Sequence, residues 1–261
     1  MRQYNGYIFD LDGTLYLGQQ AIEGAVETVN KLMEDGKKAV FLTNKTIESR
    51  SYIMKKLNNL GIQAIPEQMI SPVVTTLKVL REQFNSKKVY VIGEAVFKEE
   101  LEQEGIPFAA SPEETDVVIL SWDRNFHYQH IEFAYRAVKH GAVVMATNPD
   151  RTCPMPGGDV PDCGSMIGAL EGATGKKIDM VMGKPSKHMI GTALAVLGLK
   201  ASQCLMIGDR LETDIYMGNQ SRVDTALVLS GTATEEDAAA SPYKPTYIIS
   251  SVNELIQYPF V

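Results

Sequence analysis

Short apolar runs alternate with amphipathic stretches along most of the chain, and this alternation limits the possible folds more than any other feature. The runs have the length of buried strands and lie at residues 7–9, 39–42, 89–92, 117–120, 143–145, 180–182, 205–207, 226–229 and 247–249. Stretches with helical periodicity and helix stop signals, such as residues 25–33 and 49–60, separate the first runs. Strand and helix signals in this order predict an α/β fold with a mainly parallel sheet.

Four polar motifs follow apolar runs directly. In chain order they are Asp10-Leu11-Asp12-Gly13-Thr14, Thr43-Asn44, Lys184-Pro185, and Gly208-Asp209 with Asp214. Ligand sites in open α/β sheets lie beyond the carboxyl ends of the strands. We therefore expect the four motifs to converge in space although they are far apart in sequence.

The first motif has two carboxylates two positions apart, at Asp10 and Asp12. Such a pair can divide the work of a phosphoryl transfer, because one carboxylate can attack phosphorus while the other protonates the leaving oxygen and later activates water. Gly13 permits a sharp turn, and the Thr14 hydroxyl can fix it. A turn that merely ends the strand is the other interpretation, and the complete motif disfavours it.

The other motifs supply groups that hold a phosphoryl group and a metal ion. A hydroxyl and backbone amides at Thr43-Asn44 can bind phosphoryl oxygens, although a helix N-cap alone would also explain this pair. Lys184 can act there as a point charge. Asp209 suits Mg²⁺, which prefers oxygen ligands and would offset the repulsion between a carboxylate and a phosphate anion. Asp214 either binds the ion or orients its waters and Lys184.

The spacing of the motifs predicts an inserted domain. The segment between Asp10 and Thr43 has room for one strand–helix–strand step, whereas the segment between Thr43 and Lys184 is several times longer. We predict a catalytic core formed by residues 1–81 and 179–261, with residues 82–178 inserted as a second domain. One large continuous sheet is the alternative.

Composition excludes several classes of partner. The net charge of the 261-residue chain is -7 and no basic run stands out, so nucleic acid and anionic membranes are not expected partners. No apolar stretch approaches the ~18 residues of a membrane span. The three cysteines (Cys153, Cys163 and Cys204) have no C-x-x-C spacing, and the sequence starts without a signal peptide. We expect a cytoplasmic protein.

These motifs, in this order, resemble the four motifs of the haloacid dehalogenase (HAD) superfamily of aspartate-nucleophile phosphatases. The insertion after the second motif, and the sequence Ala-Thr-Asn-Pro-Asp at residues 146–150, are similar to the capped nitrophenylphosphatase (NagD-like) branch. The resemblance implies a Rossmann-like core with a parallel sheet and a smaller inserted α/β cap of the C2 type.

The resemblance also implies roles for the motif residues. Asp10 would be the nucleophile and Asp12 the acid and base. The phosphate-binding residues would be Thr43, Asn44 and Lys184. The Mg²⁺ ligands would be Asp10, Asp12 through its backbone carbonyl, and Asp209, with Asp214 in support. The substrate would be a small phosphorylated metabolite such as a sugar phosphate, and a homodimer would form through the cap.

Two residues depart from the pattern of that branch. Lys45 stands where a second asparagine is often found, and Cys153 stands before Pro154 where a bulkier residue is common. We predict that the cap loop at residues 147–154 selects the substrate together with Lys45. The predicted specificity residues are Lys45, Asn148, Asp150 and Cys153.

Other classes of protein use similar residues, but they fit this sequence less well. A phospho-aspartyl signalling receiver also uses acidic residues, a threonine and a lysine, but it is typically one domain of ~120 residues, without a cap. A catalytically silent phosphometabolite sensor would not need the acid pair Asp10 and Asp12. Dehalogenase chemistry would not need Asp12 or the metal-site acids, and no lysine is identifiable as the Schiff-base former of phosphonate chemistry.

Overall fold

The computed structural model of this protein describes residues 2–155 and 157–257. The chain divides into two units. The first unit contains Met1–Thr43, Arg50–Ile70 and Lys184–Val261. The second unit contains Asn44–Ser49 and Ser71–Gly183. None of the helices in the described part of the chain is long and apolar enough to cross a membrane.

The secondary structure follows the alternation of the sequence. The strands are β1 (Gly6–Asp10), β2 (Tyr16–Leu17), β3 (Gln20–Ala21), β4 (Lys38–Leu42), β5 (Met69–Ile70), β6 (Val89–Ile92), β7 (Val117–Leu120), β8 (Val143–Ala146), β9 (Thr152–Met155), β10 (Gly158–Pro161), β11 (Met180–Val181), β12 (Cys204–Gly208), β13 (Asp224–Val228) and β14 (Tyr247–Ile249). The helices are α1 (Ala25–Glu34), α2 (Arg50–Leu60), α3 (Pro72–Gln83), α4 (Ala95–Gln103), α5 (Tyr128–Lys139), α6 (Cys163–Thr174), α7 (Lys187–Leu197), α8 (Tyr216–Ser221), α9 (Glu235–Ala240) and α10 (Glu254–Gln257).

The first unit is built on a parallel sheet with strand order β14-β13-β12-β1-β4-β5. All five residues of β1 are buried, as expected for a strand covered on both faces. The rings of Tyr7 and Phe9 stack at 6.0 Å, and those of Phe9 and Phe41 at 6.1 Å, so aromatic side chains tie β1 to β4. Because these strands are parallel, the ends of β1, β4 and β12 lie at the same edge.

The second unit has a smaller parallel sheet with strand order β11-β8-β7-β6. Alternate residues of its strands enter two separate apolar clusters, as the two faces of a sheet require. Residues of α3 and α4 pack in one cluster, and residues of α5 and α6 pack in the other. The strands β9 and β10 form a separate antiparallel hairpin with Cys153 opposite Val160.

The α/β fold with parallel sheets is confirmed, whereas three features differ from the sequence prediction. The strand before Lys184, β11, pairs with β8 in the second unit and does not belong to the sheet of the first. Helix α3 shares an apolar cluster with the second unit, so the main division falls at residues 70/71 and 183/184 instead of 81/82 and 178/179, and the short segment Asn44–Ser49 of the predicted core also belongs to the second unit. The hairpin β9–β10 was not predicted, because a proline in each strand weakens the strand signal.

Candidate active site

Asp10 is the last residue of β1, and a tight turn follows it. Gly13 has a φ of +83°, and a Cβ atom there would lie 2.8 Å from Cγ of Asp209, so only glycine fits this position. The Thr14 hydroxyl donates a hydrogen bond of 3.3 Å to Oδ2 of Asp10. The turn therefore brings the first and fourth motifs close together and holds the Asp10 carboxylate in place.

Lys184 forms a buried ion pair with Asp10 and a second one, of 2.7 Å, with Asp214. All three side chains are less than 9% exposed. Asp214 lies in a short π-helical segment, Leu211–Ile215, that follows β12, and its Oδ2 accepts a 3.2 Å hydrogen bond from the backbone N–H of Arg210. Lys184 thus joins the first and fourth motifs, although the strand before it belongs to the other unit.

Asp209 directly follows β12 and is held by a loop that the sequence interpretation missed. The backbone N–H of Thr232 donates a 2.8 Å hydrogen bond to Oδ2 of Asp209, and the Ser230 hydroxyl donates one of 2.8 Å to the carbonyl oxygen of Gly13. Gly231 packs so tightly on Asp209 that it has no room for a side chain. The sequence Ser230-Gly231-Thr232, just after the apolar run of β13, could have indicated this loop, because it follows a strand end at the same sheet edge.

Carboxylate oxygens of Asp10, Asp209 and Asp214 all lie within 4.8 Å of one another. Among the residues that the structure describes, this is the one group of three acidic, histidine or cysteine side chains so arranged. Oxygen-only donor sets of this kind suit hard divalent cations. The geometry therefore fits a cation site and includes three of the four predicted metal ligands.

The protonation behaviour of these groups follows from their burial. Burial raises the pKa of the Asp10 carboxyl to about 8, although the ammonium group of Lys184 acts to lower it. Burial likewise raises the pKa of Asp214. For Lys184, burial acts to lower the pKa, but the carboxylates of Asp10 and Asp214 more than offset this and raise it. Three buried carboxylates face one ammonium group, and a divalent cation would compensate the excess negative charge.

Asp12 and Thr43 stand at the same sheet edge. Asp12 is partly exposed, and its backbone forms an isolated bridge with Tyr16, whose carbonyl accepts a 2.9 Å hydrogen bond from Gly13. Thr43 is 4% exposed and follows β4 directly, and its N–H donates a 3.2 Å hydrogen bond to the carbonyl of Ile70. Asp12 is therefore accessible to water, whereas Thr43 is shielded from it.

The second unit brings three other predicted site residues together. The Asn44 side-chain amide donates a 3.0 Å hydrogen bond to Oδ2 of Asp150, and the Asn148 amide donates one of 3.4 Å to the carbonyl oxygen of Asn44. Lys45 is partly exposed next to Asn44, and Cys153 is partly exposed in β9. Asn44 was predicted to bind phosphate, whereas Asn148 and Asp150 were predicted to select the substrate. The hydrogen bonds among these three residues were not predicted.

Sequence comparisons with known proteins identify the family of this chain. A family model described as haloacid dehalogenase-like hydrolase matches residues 7–107, and a second one, described as HAD-hydrolase-like, matches residues 181–255. The sugar-phosphatase AraL of Bacillus subtilis (strain 168) is 36% identical over 250 residues, which cover 96% of this chain and 91% of AraL. The 5'-nucleotidase YutF of the same organism is 34% identical over 258 residues, which cover 99% of this chain and 100% of YutF.

Solved structures of phosphatases have the same fold as this chain. The p-nitrophenyl phosphatase from Archaeoglobus fulgidus superposes with a TM-score of 0.92 at 32% identity, covering 98% of this chain and 99% of that one. NagD from E. coli K-12 superposes with a TM-score of 0.89 at 29% identity, covering 99% and 100%. The chain belongs to the haloacid dehalogenase-like hydrolase family, in its nitrophenylphosphatase and NagD-like branch. It is a phosphatase of that family.

Proposed function

We propose that this phosphatase hydrolyses phosphomonoesters of small metabolites through a covalent phosphoryl intermediate on Asp10, with Mg²⁺ as cofactor. The observation that carries the proposal is the buried cluster at the end of β1, where Lys184 pairs with both Asp10 and Asp214 and Asp209 lies beside them. A structural ion pair needs one carboxylate, whereas this cluster has three, which is costly to bury without a function.

In the first step an Oδ atom of Asp10 attacks the phosphorus atom. A bond forms between that oxygen and phosphorus, and the bond from phosphorus to the ester oxygen breaks. Asp12 gives its proton to the departing oxygen, which leaves as an alcohol. Asp10 suits attack because the turn at Gly13, the Thr14 hydroxyl and Lys184 fix its carboxylate.

In the second step water releases the phosphoryl group. Asp12, now a carboxylate, takes a proton from a water molecule, and the water oxygen attacks phosphorus. The bond from phosphorus to Asp10 breaks, so the products are inorganic phosphate and the free carboxylate. Asp12 is suited to both steps because it is partly exposed and can exchange protons with the solvent.

The residues that would hold Mg²⁺ are Asp10, Asp209 and Asp214, with the backbone carbonyl of Asp12 as a further ligand. Bound there, the ion would reduce the repulsion between the Asp10 carboxylate and the phosphate dianion. The Thr232 N–H fixes Asp209 through Oδ2, and Lys184 fixes Asp214. Such orientation of ligands by their neighbours is typical of metal sites.

The groups proposed to bind the phosphoryl oxygens are the Thr43 hydroxyl, the Asn44 backbone N–H and the Lys184 ammonium group. Thr43 is buried at the sheet edge that carries Asp10, and Lys184 already contacts that carboxylate. Donors directed at the phosphoryl oxygens stabilise the charge that these oxygens carry in the transition state.

Sugar phosphates are the substrate class that we propose first, because the sugar-phosphatase AraL has the higher identity of the two relatives described. Nucleoside monophosphates are the second candidates, because the relative YutF is a 5'-nucleotidase. A panel of sugar phosphates, nucleoside monophosphates and nitrophenyl phosphate, assayed for phosphate release, separates the two classes by their kcat/KM values.

Metal dependence is tested in the same assay. We expect removal of divalent cations with EDTA to lower turnover by roughly 10²-fold or more, and added Mg²⁺ to restore it. The substitution D209N should raise the Mg²⁺ concentration needed for half-maximal turnover. The exposed D35N variant, also in the first unit, should leave it unchanged. Undiminished turnover in EDTA would refute the cofactor assignment.

We also propose that the protein forms a homodimer through the second unit, as the family resemblance implies. Sedimentation velocity measures the oligomeric state directly. A monomer at micromolar protein concentration would contradict this part of the proposal.

A further inference from the structure

The side chain of Asn44 is held by the loop that follows β8. Its amide nitrogen donates to Oδ2 of Asp150 at 3.0 Å. The backbone carbonyl oxygen of Asn44 accepts a hydrogen bond of 3.4 Å from the side-chain amide of Asn148. The side chain and the backbone of Asn44 are therefore held by two residues of one loop. Asn148 is 1% exposed, so the loop that makes these contacts is itself well packed.

Hydrogen bonds to its backbone groups hold Asp150 in turn. Its N–H donates a 3.0 Å hydrogen bond to Oδ1 of Asn148, and its carbonyl oxygen accepts one of 2.8 Å from the N–H of Gly164. A Cβ atom at Gly164 would lie 2.8 Å from that carbonyl oxygen, so the approach is as close as a glycine allows. The backbone that carries the Asp150 carboxylate is thus held in place, and the carboxylate accepts the hydrogen bond from Asn44.

A second set of hydrogen bonds holds Thr46, two residues after Asn44. The Ser121 hydroxyl donates a 2.9 Å hydrogen bond to the Thr46 hydroxyl, and the Thr147 hydroxyl donates one of 3.2 Å to Ser121. All three residues are no more than 3% exposed. Loops after β7 and β8 therefore both bind the segment Asn44–Ser49, which explains why that segment belongs to the second unit.

Asn44 also packs against Gly183, the residue before Lys184. A Cβ atom at Gly183 would lie 2.5 Å from Oδ1 of Asn44, and the Gly183 N–H donates a 2.7 Å hydrogen bond to the carbonyl of Thr147. The chain passes between the two units after Thr43 and again before Lys184. Asn44 follows Thr43 and Gly183 precedes Lys184, and these two residues pack against each other beside Thr147.

From these contacts we propose that Asp150 is a positioning residue for phosphate binding that acts through Asn44, and that it does not select the leaving group. Because the side-chain amide and the backbone carbonyl of Asn44 are both held, the residue that carries the backbone N–H is fixed in position. That N–H is one of the proposed phosphoryl donors, so this inference rests on the proposed function. It gives Asp150 a role different from the substrate selection that was predicted from the sequence.

A double-mutant cycle tests this role. The variants are N44A, D150A and the double variant, with D159A as the matched control, because Asp159 is an exposed carboxylate of the same unit. The measured quantities are kcat/KM over the ester panel and the inhibition constant of inorganic phosphate in the presence of Mg²⁺. Inorganic phosphate has no leaving group, so its inhibition constant reports on the phosphate site alone.

We expect D150A to lower kcat/KM by roughly 10- to 100-fold, by the same factor for every ester, and to weaken inhibition by phosphate. In the N44A background, D150A should have no further effect, because its partner is already gone. D159A should behave as the wild type. The conservative D150N variant keeps an acceptor oxygen and should lose less than about tenfold.

Three results would overturn the proposal. The first is an effect of D150A that persists undiminished in the N44A background, and the second is a loss confined to some esters, since both would indicate direct contact with the leaving group. The third is a D150A variant that behaves as D159A does. Failure of the proposed function is distinguishable, because it would appear in the wild type as phosphate release that Mg²⁺ does not stimulate.

Discussion

The two units carry similar parallel sheets with very different carboxyl edges. At the edge of the first unit, buried Asp10 ends β1, buried Asp209 directly follows β12, and Lys184 forms ion pairs with two carboxylates. At the edge of the second unit, Ser121 and Thr147 occupy the corresponding positions after β7 and β8 and bond to each other. One edge concentrates charge, whereas the other consists mainly of neutral hydrogen bonds.

The parallel sheet of each unit determines where polar residues meet, and the identity of those residues determines the function. Buried charges of one sign lower stability unless a ligand offsets them, so they are kept where chemistry needs them. Neutral buried hydrogen bonds are fully satisfied within the protein and contribute to stability. We therefore expect substitutions at the first edge to affect turnover and those at the second edge to affect stability or positioning.

The largest effect is expected for D10N. An amide cannot attack phosphorus and is a poor metal ligand, so steady-state phosphate release should fall by at least about 10³-fold. Circular dichroism should show an unchanged fold. A variant that retains a tenth of the wild-type turnover would show that the charged edge does not supply the nucleophile.

The next effect is expected for D12N, and its size should depend on the leaving group. General acid–base catalysis is typically worth about 10²–10⁴-fold. A sugar alcohol needs protonation as it leaves, whereas nitrophenolate needs it much less, so the loss should be greater for a sugar phosphate than for nitrophenyl phosphate. Single-turnover rates are the proper measurement, because slow hydrolysis of the intermediate would mask the difference. Equal losses would contradict the acid role.

A smaller and more selective effect is expected from C153F and K45N in the second unit. A mild clash or one lost contact changes discrimination between substrates by roughly 10–200-fold. C153F should lower kcat/KM for bulky esters more than for small ones, and K45N should disfavour esters with a second negative charge. Unchanged substrate ranking in both variants would show that specificity depends on other residues.

The smallest effect is expected for S121A, which removes the hydroxyl that bridges Thr46 and Thr147. The loss of about 1 kcal/mol corresponds to a Tm lowered by roughly 2–4 °C in a chain of this size. Differential scanning calorimetry measures it, with the exposed S202A as control. A change in Tm no greater than that of S202A would mean that this edge does not stabilise the second unit.

The sequence was informative wherever a motif follows its strand directly. Asp10, Thr43 and Asp209 could be assigned to strand ends, because the alternation fixes the parallel sheet and parallel strands share an edge. Lys184 was predicted for the site, but its strand was assigned to the wrong sheet, because a strand of two residues carries no information about its partner. The structure pairs that strand with β8 of the second unit.

The remaining features depend on contacts between residues that are distant in sequence. The hydrogen bond from Thr232 to Asp209, and the contact of Asn44 with Asp150, have no local signal because each requires the folded loops to meet. The position of α3 depends on which apolar cluster its residues join, and a helical pattern is the same for either. Local patterns therefore predict elements and strand ends, whereas they do not predict how loops are held.

Trapping the covalent intermediate tests the proposed role of Asp10 as nucleophile most directly. The D12N variant should form it and hydrolyse it slowly, because the base that activates water is missing. After a brief incubation with excess substrate and an acid quench, borohydride reduction followed by peptide mass spectrometry identifies the phosphorylated carboxylate. We predict modification at Asp10 only when Mg²⁺ is present. An unmodified Asp10, with turnover continuing or with another residue labelled, would contradict the proposed aspartyl-phosphate mechanism.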